Sequence, residues 1–116
     1  MSIDFDKEIH AHIAVLRSLQ KPTGVFTAAA HTVGTGYDKA WLRDNYFMTL
    51  GFLETGDIET VVKTAKALLS VFAKHKDKIN WAIVNKPHET WQYIHARFHP
   101  ETFEEYWEEW GNSQND

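Results

Sequence analysis

The stretch "DIETVVKTAKALLSVF", Asp57 to Phe72, decides the fold class. Its apolar residues recur at spacings of three and four, which is the periodicity of one face of an α-helix. Asp57 is a residue type that caps helix N-termini, and Gly56 before it separates this segment from the preceding one. The stretch therefore predicts an amphipathic helix that needs a packing partner along one stripe. The stripe comprises Ile58, Val61, Val62, Ala65, Leu68, Leu69 and Phe72.

Two more helices are predicted upstream by the same periodicity. In the first, the apolar positions are Phe5, Ile9, Ile13, Leu16 and Leu19, and the candidate caps are Ser2, Asp4 and Asp6. "KPTG", 21–24, is expected to end this helix because Pro cannot continue the hydrogen-bond ladder and Gly favours a C-terminal turn. The second begins near Asp44 and ends at Gly56, with Tyr46, Phe47, Leu50 and Leu53 as its apolar positions.

The remaining segments are less regular. "GVFTAAAH", 24–31, is compatible with a short extended piece, and the periodic pattern loosens beyond Asp77. "IHARF", 94–98, is interpreted as extended, with Ile94, Ala96 and Phe98 on one side and His95 and Arg97 on the other. "PETFEEYW", 100–107, resembles a short helix opened by Pro100. The overall prediction is an all-α chain with about three main helices and aromatic-rich connections.

The composition of the chain argues against several classes of function. The 116 residues fit one small domain or a piece of a larger one, and 43% of them are hydrophobic. The net charge of −4 argues against a nucleic-acid-binding surface, which needs a basic patch. There are no cysteines, the charged N-terminus is unlike a signal peptide, and no apolar run reaches the ~20 residues of a membrane helix. We therefore expect a cytoplasmic protein without nucleic-acid or membrane partners.

The segment "GYDKAWLRDN", 36–45, carries the first candidate site. Trp41, Arg43 and Asp44 lie where a loop becomes a helix. One interpretation is that Asp44 simply caps that helix. The other is that Arg43 and Asp44 bind sugar hydroxyls, since hydroxyls both donate and accept hydrogen bonds, while Trp41 supplies an apolar wall for the sugar ring.

The segment "WEEWGNSQND", 107–116, carries the second. Trp107 and Trp110 lie three residues apart, and polar residues follow them. The two tryptophans suit either a packed core or a binding site with one solvent-exposed side. Metal binding is not predicted, because the seven histidines form no HExxH motif and there is no cysteine. A serine nucleophile is not predicted either, because there is no GxSxG motif.

Both segments resemble motifs of a known family. "GYDKAWLRDN" is similar to the tyrosine–x–x–x–tryptophan–x–arginine–aspartate motif of glycoside hydrolase family 15, the glucoamylase family, which recurs in the regulatory α and β subunits of phosphorylase kinase. "IHARFHPETFEEYWEEWGNSQND", 94–116, is similar to the next family segment, in which a basic–Phe pair leads to "WG" and "QND". "IHARF" resembles the phosphorylase-kinase branch in particular. The resemblance extends from about Gly24 to the last residue.

The resemblance implies an (α/α)6 toroid of helical hairpins around a sugar pocket, here as a partial toroid. It assigns Arg43 and Asp44 to binding of the non-reducing glucose unit, places Trp41 and Trp110 at the same pocket, and implies no cofactor. Asp44 is then expected both to cap its helix and to face the sugar. The implied parent activity is inverting hydrolysis of α-glucosidic bonds in oligo- or polysaccharides.

The family's two catalytic glutamates follow its "QND" segment, so no catalytic residue is assigned within 1–116. We therefore expect an N-terminal fragment of such a domain, whose partners are an α-glucoside or glucan and the remaining part of the toroid. Two alternatives stay open. One is a non-catalytic, phosphorylase-kinase-like regulatory or carbohydrate-sensing domain, and the other is a small helical interaction protein.

Overall fold

Four helices and one small sheet make up the fold in the computed structural model, which describes residues 2–30 and 36–107. The helices are α1 (Phe5–Ser18), α2 (Leu42–Glu54), α3 (Ile58–Lys74) and α4 (Lys76–Asn85), and a 3₁₀ turn covers Thr90–Gln92. Strands β1 (Ala40–Trp41) and β2 (Arg97–Phe98) pair antiparallel. The predicted all-α fold class is confirmed. None of the helices in the described ranges has both the length and the apolar character needed to cross a bilayer.

Helix boundaries follow the capping residues of the sequence. Asp4 caps α1 by accepting a hydrogen bond from the Lys7 N–H at 3.1 Å. Gly56, at φ 80°, ends α2 as predicted, with its N–H bonded to the Leu53 carbonyl and the Asp57 N–H bonded to the Phe52 carbonyl. Because Asp57 also caps α3, one three-residue turn closes α2 and opens α3. The two helices pack as a helical hairpin, which is the unit of the predicted toroid.

The end of α1 differs from the prediction. The helix stops at Ser18, before the "KPTG" segment. Gly24 instead packs that segment against α3: its φ is 106°, and a Cβ built on it would lie 2.7 Å from the Lys63 carbonyl oxygen. Thr64 donates a hydrogen bond to the Gly24 carbonyl at 2.8 Å. Glycine is thus required here by a close approach between two backbones.

The face of α3 that contacts the core coincides only in part with the predicted stripe. Its buried residues are Thr60, Thr64, Ala67 and Val71. Ala67 and Val71 form a cluster with Val25, Ala40 and Phe98. Leu68 of the predicted stripe packs against this cluster, whereas Ile58, Val62, Leu69 and Phe72 are exposed. The 24–26 segment approaches α3 so closely that only small or hydrogen-bonding side chains fit between them. This close approach explains why the buried face of α3 is displaced around the helix from the predicted stripe. The helix was predicted correctly, but its buried face was predicted only in part.

Helix α1 carries no buried residue. Phe5 is 70% exposed and Val15 is 60% exposed, although both belong to apolar positions of a regular helix. Of the four helices, α1 is therefore the one that contributes least to the core, since α2, α3 and α4 each carry at least one buried residue. Its last turn is held by an ion pair between Arg17 and Asp57 at 2.5 Å and by the Arg17 guanidinium above the Phe52 ring.

The second half contains two further differences. Helix α4 was not predicted, because its sequence "KDKINWAIVN" has almost no apolar periodicity and buries only Ala82. The short helix predicted at 100–107 is absent: residues 99–104 form the loop of a hairpin in which Phe98 bridges Glu105. Phe103 adopts φ 62°, and in that loop its side chain reaches the core beside Phe98. Tertiary packing here outweighs local helix preference.

Candidate functional site

The small sheet separates the core from the candidate site. Ala40 is paired with Phe98, and Trp41 is paired with Arg97. Because successive side chains of a strand point to opposite faces, Ala40 and Phe98 enter the core, and Trp41 and Arg97 lie together on the other face. The predicted alternation of "IHARF" is confirmed in this respect. Its consequence is that the first sequence motif and the second meet across two paired strands.

Trp41 contacts both an aromatic ring and a cation. The Tyr37 ring stacks on it with centroids 5.6 Å apart, and the Arg97 guanidinium carbon lies 5.5 Å from its ring centre. The same guanidinium carbon lies 4.3 Å from the Tyr106 ring centre. Arg97 is fully buried, so these cation–π contacts are desolvated and worth ~2 kcal/mol or more. We call Tyr37, Trp41, Arg97 and Tyr106 the aromatic–arginine stack.

Buried Asn45 fixes the start of α2 beneath this stack. Its side-chain oxygen accepts from the Phe26 N–H at 2.8 Å, and its amide donates to the carbonyls of Phe26 at 3.0 Å and Trp41 at 2.8 Å. It thereby ties the extended 25–29 segment to the residue that carries the indole ring. Sequence reasoning missed Asn45, although a side-chain amide in the first turn of a helix is a signal for a hydrogen bond to nearby backbone.

Arg43 and Asp44 are the second and third residues of α2. Arg43 is exposed and Asp44 is half-buried. Asp44 is not the N-cap that was predicted, because the N-cap position is occupied by Trp41, whose side chain makes no capping hydrogen bond. The helix starts two residues earlier than predicted, since the Leu42 N–H bonds to the Ala96 carbonyl of the neighbouring strand. As a residue of the first turn, Asp44 still places a negative charge near the positive end of the helix dipole.

Beside the stack, an ion pair anchors the hairpin after β2. Glu105 accepts from the Lys78 ammonium at 2.9 Å and 3.0 Å and from the His95 N–H at 2.6 Å. Trp107 stands edge-on to His95, with ring centroids 4.4 Å apart, and the Lys78 nitrogen lies 5.0 Å from its ring centre. The first tryptophan of the second motif is therefore half-buried against polar groups. The structure brings it to α4, a helix that the sequence did not predict.

Of the four predicted sugar-binding residues, the structure describes three. Trp41, Arg43 and Asp44 are contiguous at the β1–α2 junction, and Trp110 lies outside the described residues. Tyr37, Arg97 and Tyr106 join the site and were not among the predicted binding residues. Among the described residues no group of three or more His, Asp or Glu side chains is placed to hold a metal ion.

Comparison with known proteins identifies a family. The family model described as "Glycosyl hydrolases family 15" matches residues 9–116, which is most of the chain. It includes both motifs of the candidate site. A search of curated proteins and a search of solved structures each found no match.

Proposed function

The chain belongs to glycosyl hydrolase family 15, and from that premise we propose that Trp41, Arg43 and Asp44 bind the terminal glucose unit of an α-glucoside. The membership also agrees with the helical fold, since the family is a helical toroid. The observation that carries the proposal is the β1–α2 junction, where an indole ring on the non-core face is followed within three residues by a guanidinium and a carboxylate.

The chemistry of that junction suits a sugar. A pyranose ring has an apolar C–H face and a rim of hydroxyls that donate and accept. The Trp41 ring supplies an apolar surface, fixed by its contacts with Tyr37 and Arg97. Arg43 supplies fixed donors and Asp44 fixed acceptors, and charge-assisted hydrogen bonds of this kind are about twice as strong as neutral ones. Trp110 is proposed as a further wall of the same pocket.

We assign binding, and not hydrolysis, to these residues. Inverting hydrolysis needs one carboxylic acid to protonate the leaving oxygen and one carboxylate to activate water, about 6.5–9.5 Å apart. Asp44 is the only carboxylate that we place in the pocket, and it is assigned to the hydroxyls. We therefore expect no glucose release from maltose by the 116-residue chain. Release that survives purification and disappears in Asp44→Asn would contradict this assignment.

Binding is tested by titrating the chain with maltose. Arg43→Ala is expected to weaken binding about 10- to 100-fold, because a hydrogen bond to a charged group contributes about 1.5–3 kcal/mol. Arg43→Lys is expected to restore only part of it, because an ammonium lacks the planar fork of donors. Asp44→Asn is expected to weaken binding as well.

The matched control for Asp44→Asn is Asp6→Asn. Asp6 also lies in the first turn of a helix, α1, and is exposed. Both substitutions remove a negative charge from a helix N-terminus, but only one is in the proposed pocket. Equal maltose affinity for the Asp44 variant and the unsubstituted chain would overturn the proposal.

A second candidate function is carbohydrate sensing without hydrolysis, as in a phosphorylase-kinase-like regulatory domain. It is favoured by the segment "IHARF", 94–98, which resembles the phosphorylase-kinase branch of the family. The hydrolytic and the sensing function both require the sugar pocket. They differ because only hydrolysis also requires a pair of catalytic carboxylates in that pocket. Glucose release by a longer form of the protein, and its loss on substitution of such a carboxylate, would exclude the sensing function.

A further inference from the structure

A second aromatic cleft lies between α4 and the 3₁₀ turn. Its volume is about 340 Å³, and it is lined by Lys78, Trp81, Trp91 and Gln92. Both indole side chains are open to solvent, with Trp81 46% and Trp91 62% exposed. The cleft has no lining residue in common with the Trp41 pocket. Neither sequence motif includes these two tryptophans.

The turn that carries Trp91 is closed by its own hydrogen bonds. Lys86 ends α4 with φ 48°, which reverses the chain direction. The Tyr93 hydroxyl then donates to the Pro87 carbonyl at 2.7 Å, and the Gln92 N–H donates to the Glu89 carbonyl at 3.1 Å. The two rings are thus presented by a helix and by a braced turn, so less ordering is required when a ligand binds.

The polar groups of the cleft suit a neutral ligand. Lys78 is paired with Glu105 and sits above the Trp107 ring, so its charge is already compensated. The indole N–H groups of Trp81 and Trp91 and the side-chain amide of Gln92 make no hydrogen bond with any residue in 2–30 or 36–107. The cleft therefore offers two apolar ring faces, several neutral donors and one neutral acceptor, without an uncompensated charge.

This combination matches hexopyranose units, which have apolar C–H faces and hydroxyl edges. We propose that the cleft is a second carbohydrate-binding site, which takes hexopyranose units of a neutral oligo- or polysaccharide. Its volume falls within the ~300–1,000 Å³ of small-ligand sites. A stable protein interface needs about 800 Å² on each partner, far more than four side chains provide. The proposal does not require the Trp41 pocket to bind sugar.

The test is affinity electrophoresis in native gels that contain soluble amylose, with dissociation constants taken from the retardation at several amylose concentrations. The starting protein is the Arg43→Ala chain, in which the proposed Trp41 pocket is weakened. We expect this chain still to be retarded. Adding Trp91→Ala, or Trp81→Ala, is expected to weaken the remaining amylose binding at least about tenfold, which is ~1.4 kcal/mol.

The matched control is Phe5→Ala in the same background. Phe5 is 70% exposed and lies on α1, so its removal deletes an exposed aromatic ring without touching the cleft. Its amylose binding is expected to be unchanged. The proposal is overturned if Arg43→Ala alone abolishes retardation, if the Trp91 and Trp81 variants bind as the background does, or if Trp91→Ala only converts a dimer into a monomer in sedimentation. Failure of the Trp41 pocket is detected separately, by unchanged maltose binding in Arg43→Ala.

Discussion

Asn45 shows at the scale of one residue how the site is held in place. Asn45→Ala removes three hydrogen bonds, two of them buried, and leaves the Phe26 N–H and carbonyl without a partner in the core. Each buried group left without a partner costs about 1–3 kcal/mol, so the loss of partners for these two groups is expected to lower the free energy of unfolding by roughly 2–6 kcal/mol. Urea denaturation followed by far-UV circular dichroism measures this.

The control for this substitution is Asn85→Ala. Asn85 likewise donates its amide to the carbonyl four residues before it, that of Trp81 at 2.8 Å, but the bond is exposed. We expect a change within about 0.5 kcal/mol. Equal losses in the two variants would contradict a specific role for Asn45, because the shared local bond would then account for both.

Two glycines give opposite predictions for the same substitution. Gly24→Ala forces a Cβ to 2.7 Å from the Lys63 carbonyl at a positive φ, and is expected to destabilise the chain by more than ~2 kcal/mol. In Gly51→Ala, within α2, the added Cβ meets no atom within 4 Å. This substitution is expected to stabilise the chain by about 0.4–1 kcal/mol. Thermal unfolding of the two variants checks both signs. A stabilised Gly24→Ala variant would show that the 24–26 segment is not packed on α3.

At the scale of an element, the N-terminus of α3 is sensitive to acid. Hydrogen bonds from the hydroxyl and N–H of Thr60, and then from Arg17, hold the pKa of Asp57 below its ordinary value of about 3.9. A carboxyl group whose pKa is lowered in the folded state stabilises the fold above the unfolded pKa, and that contribution is lost as the pH falls through the folded pKa. Part of the chain's stability should therefore disappear below about pH 4.

The substitution Asp57→Asn distinguishes the contribution of the Asp57 charge from the contribution of its N-capping hydrogen bond. Asn is as good an N-cap as Asp, but it neither titrates nor pairs with Arg17 as an ion. We expect the variant to lose less stability between about pH 4 and pH 2 than the unsubstituted chain does. The measurement is urea denaturation at each pH, and Asp77→Asn, an exposed residue of α4, is the control that should follow the unsubstituted chain. Parallel curves for all three proteins would rule out Asp57 as a source of the acid sensitivity.

Helices with strong periodicity and clear caps were predictable from sequence. α1, α2 and α3 were found, with Asp4, Gly56 and Asp57 at predicted boundaries. α4 was missed because its sequence lacks an apolar stripe, and the helix at 100–107 was wrongly predicted because Phe103 has a left-handed backbone conformation that only tertiary packing explains. Local preference is a weak guide where a segment's conformation is set by distant contacts.

The candidate site was predictable to the extent that its residues are adjacent in sequence. Trp41, Arg43 and Asp44 form one motif, and their position at a loop-to-helix junction was predicted. Arg97 and Tyr106 joined the site only through the pairing of β1 with β2 and the hairpin that follows. A pairing between segments more than fifty residues apart has no local signal in a single sequence. The same limit applies to the buried face of α3, which depends on the close approach of Gly24.

At the scale of the whole molecule, much of the apolar surface is uncovered. The core is small, and its fully buried large side chains include Phe26, Phe52, Phe98 and Val71. The apolar positions of the helices point largely outwards; the exposed ones include Phe5, Val15, Phe47, Leu53, Ile58, Leu69 and Phe72. Each large apolar side chain left in water forgoes roughly 1.5–3 kcal/mol of burial, and a domain has only ~5–15 kcal/mol of net stability. An uncovered surface of this extent is also a site for association.

The 116-residue chain is therefore expected to bind hydrophobic dyes and to self-associate as its concentration rises. The double variant Leu69→Gln, Phe72→Gln removes two exposed side chains of α3, so it should associate less while its stability stays within about 1 kcal/mol. Val71→Ala, on the buried face of the same helix, should instead lower stability by roughly 1–3 kcal/mol without reducing association. Sedimentation velocity and thermal unfolding separate the two effects. A monodisperse 13.5 kDa monomer with sharp two-state unfolding above ~60 °C would contradict the expectation, because a chain with these side chains in water would then be stable without a partner for them.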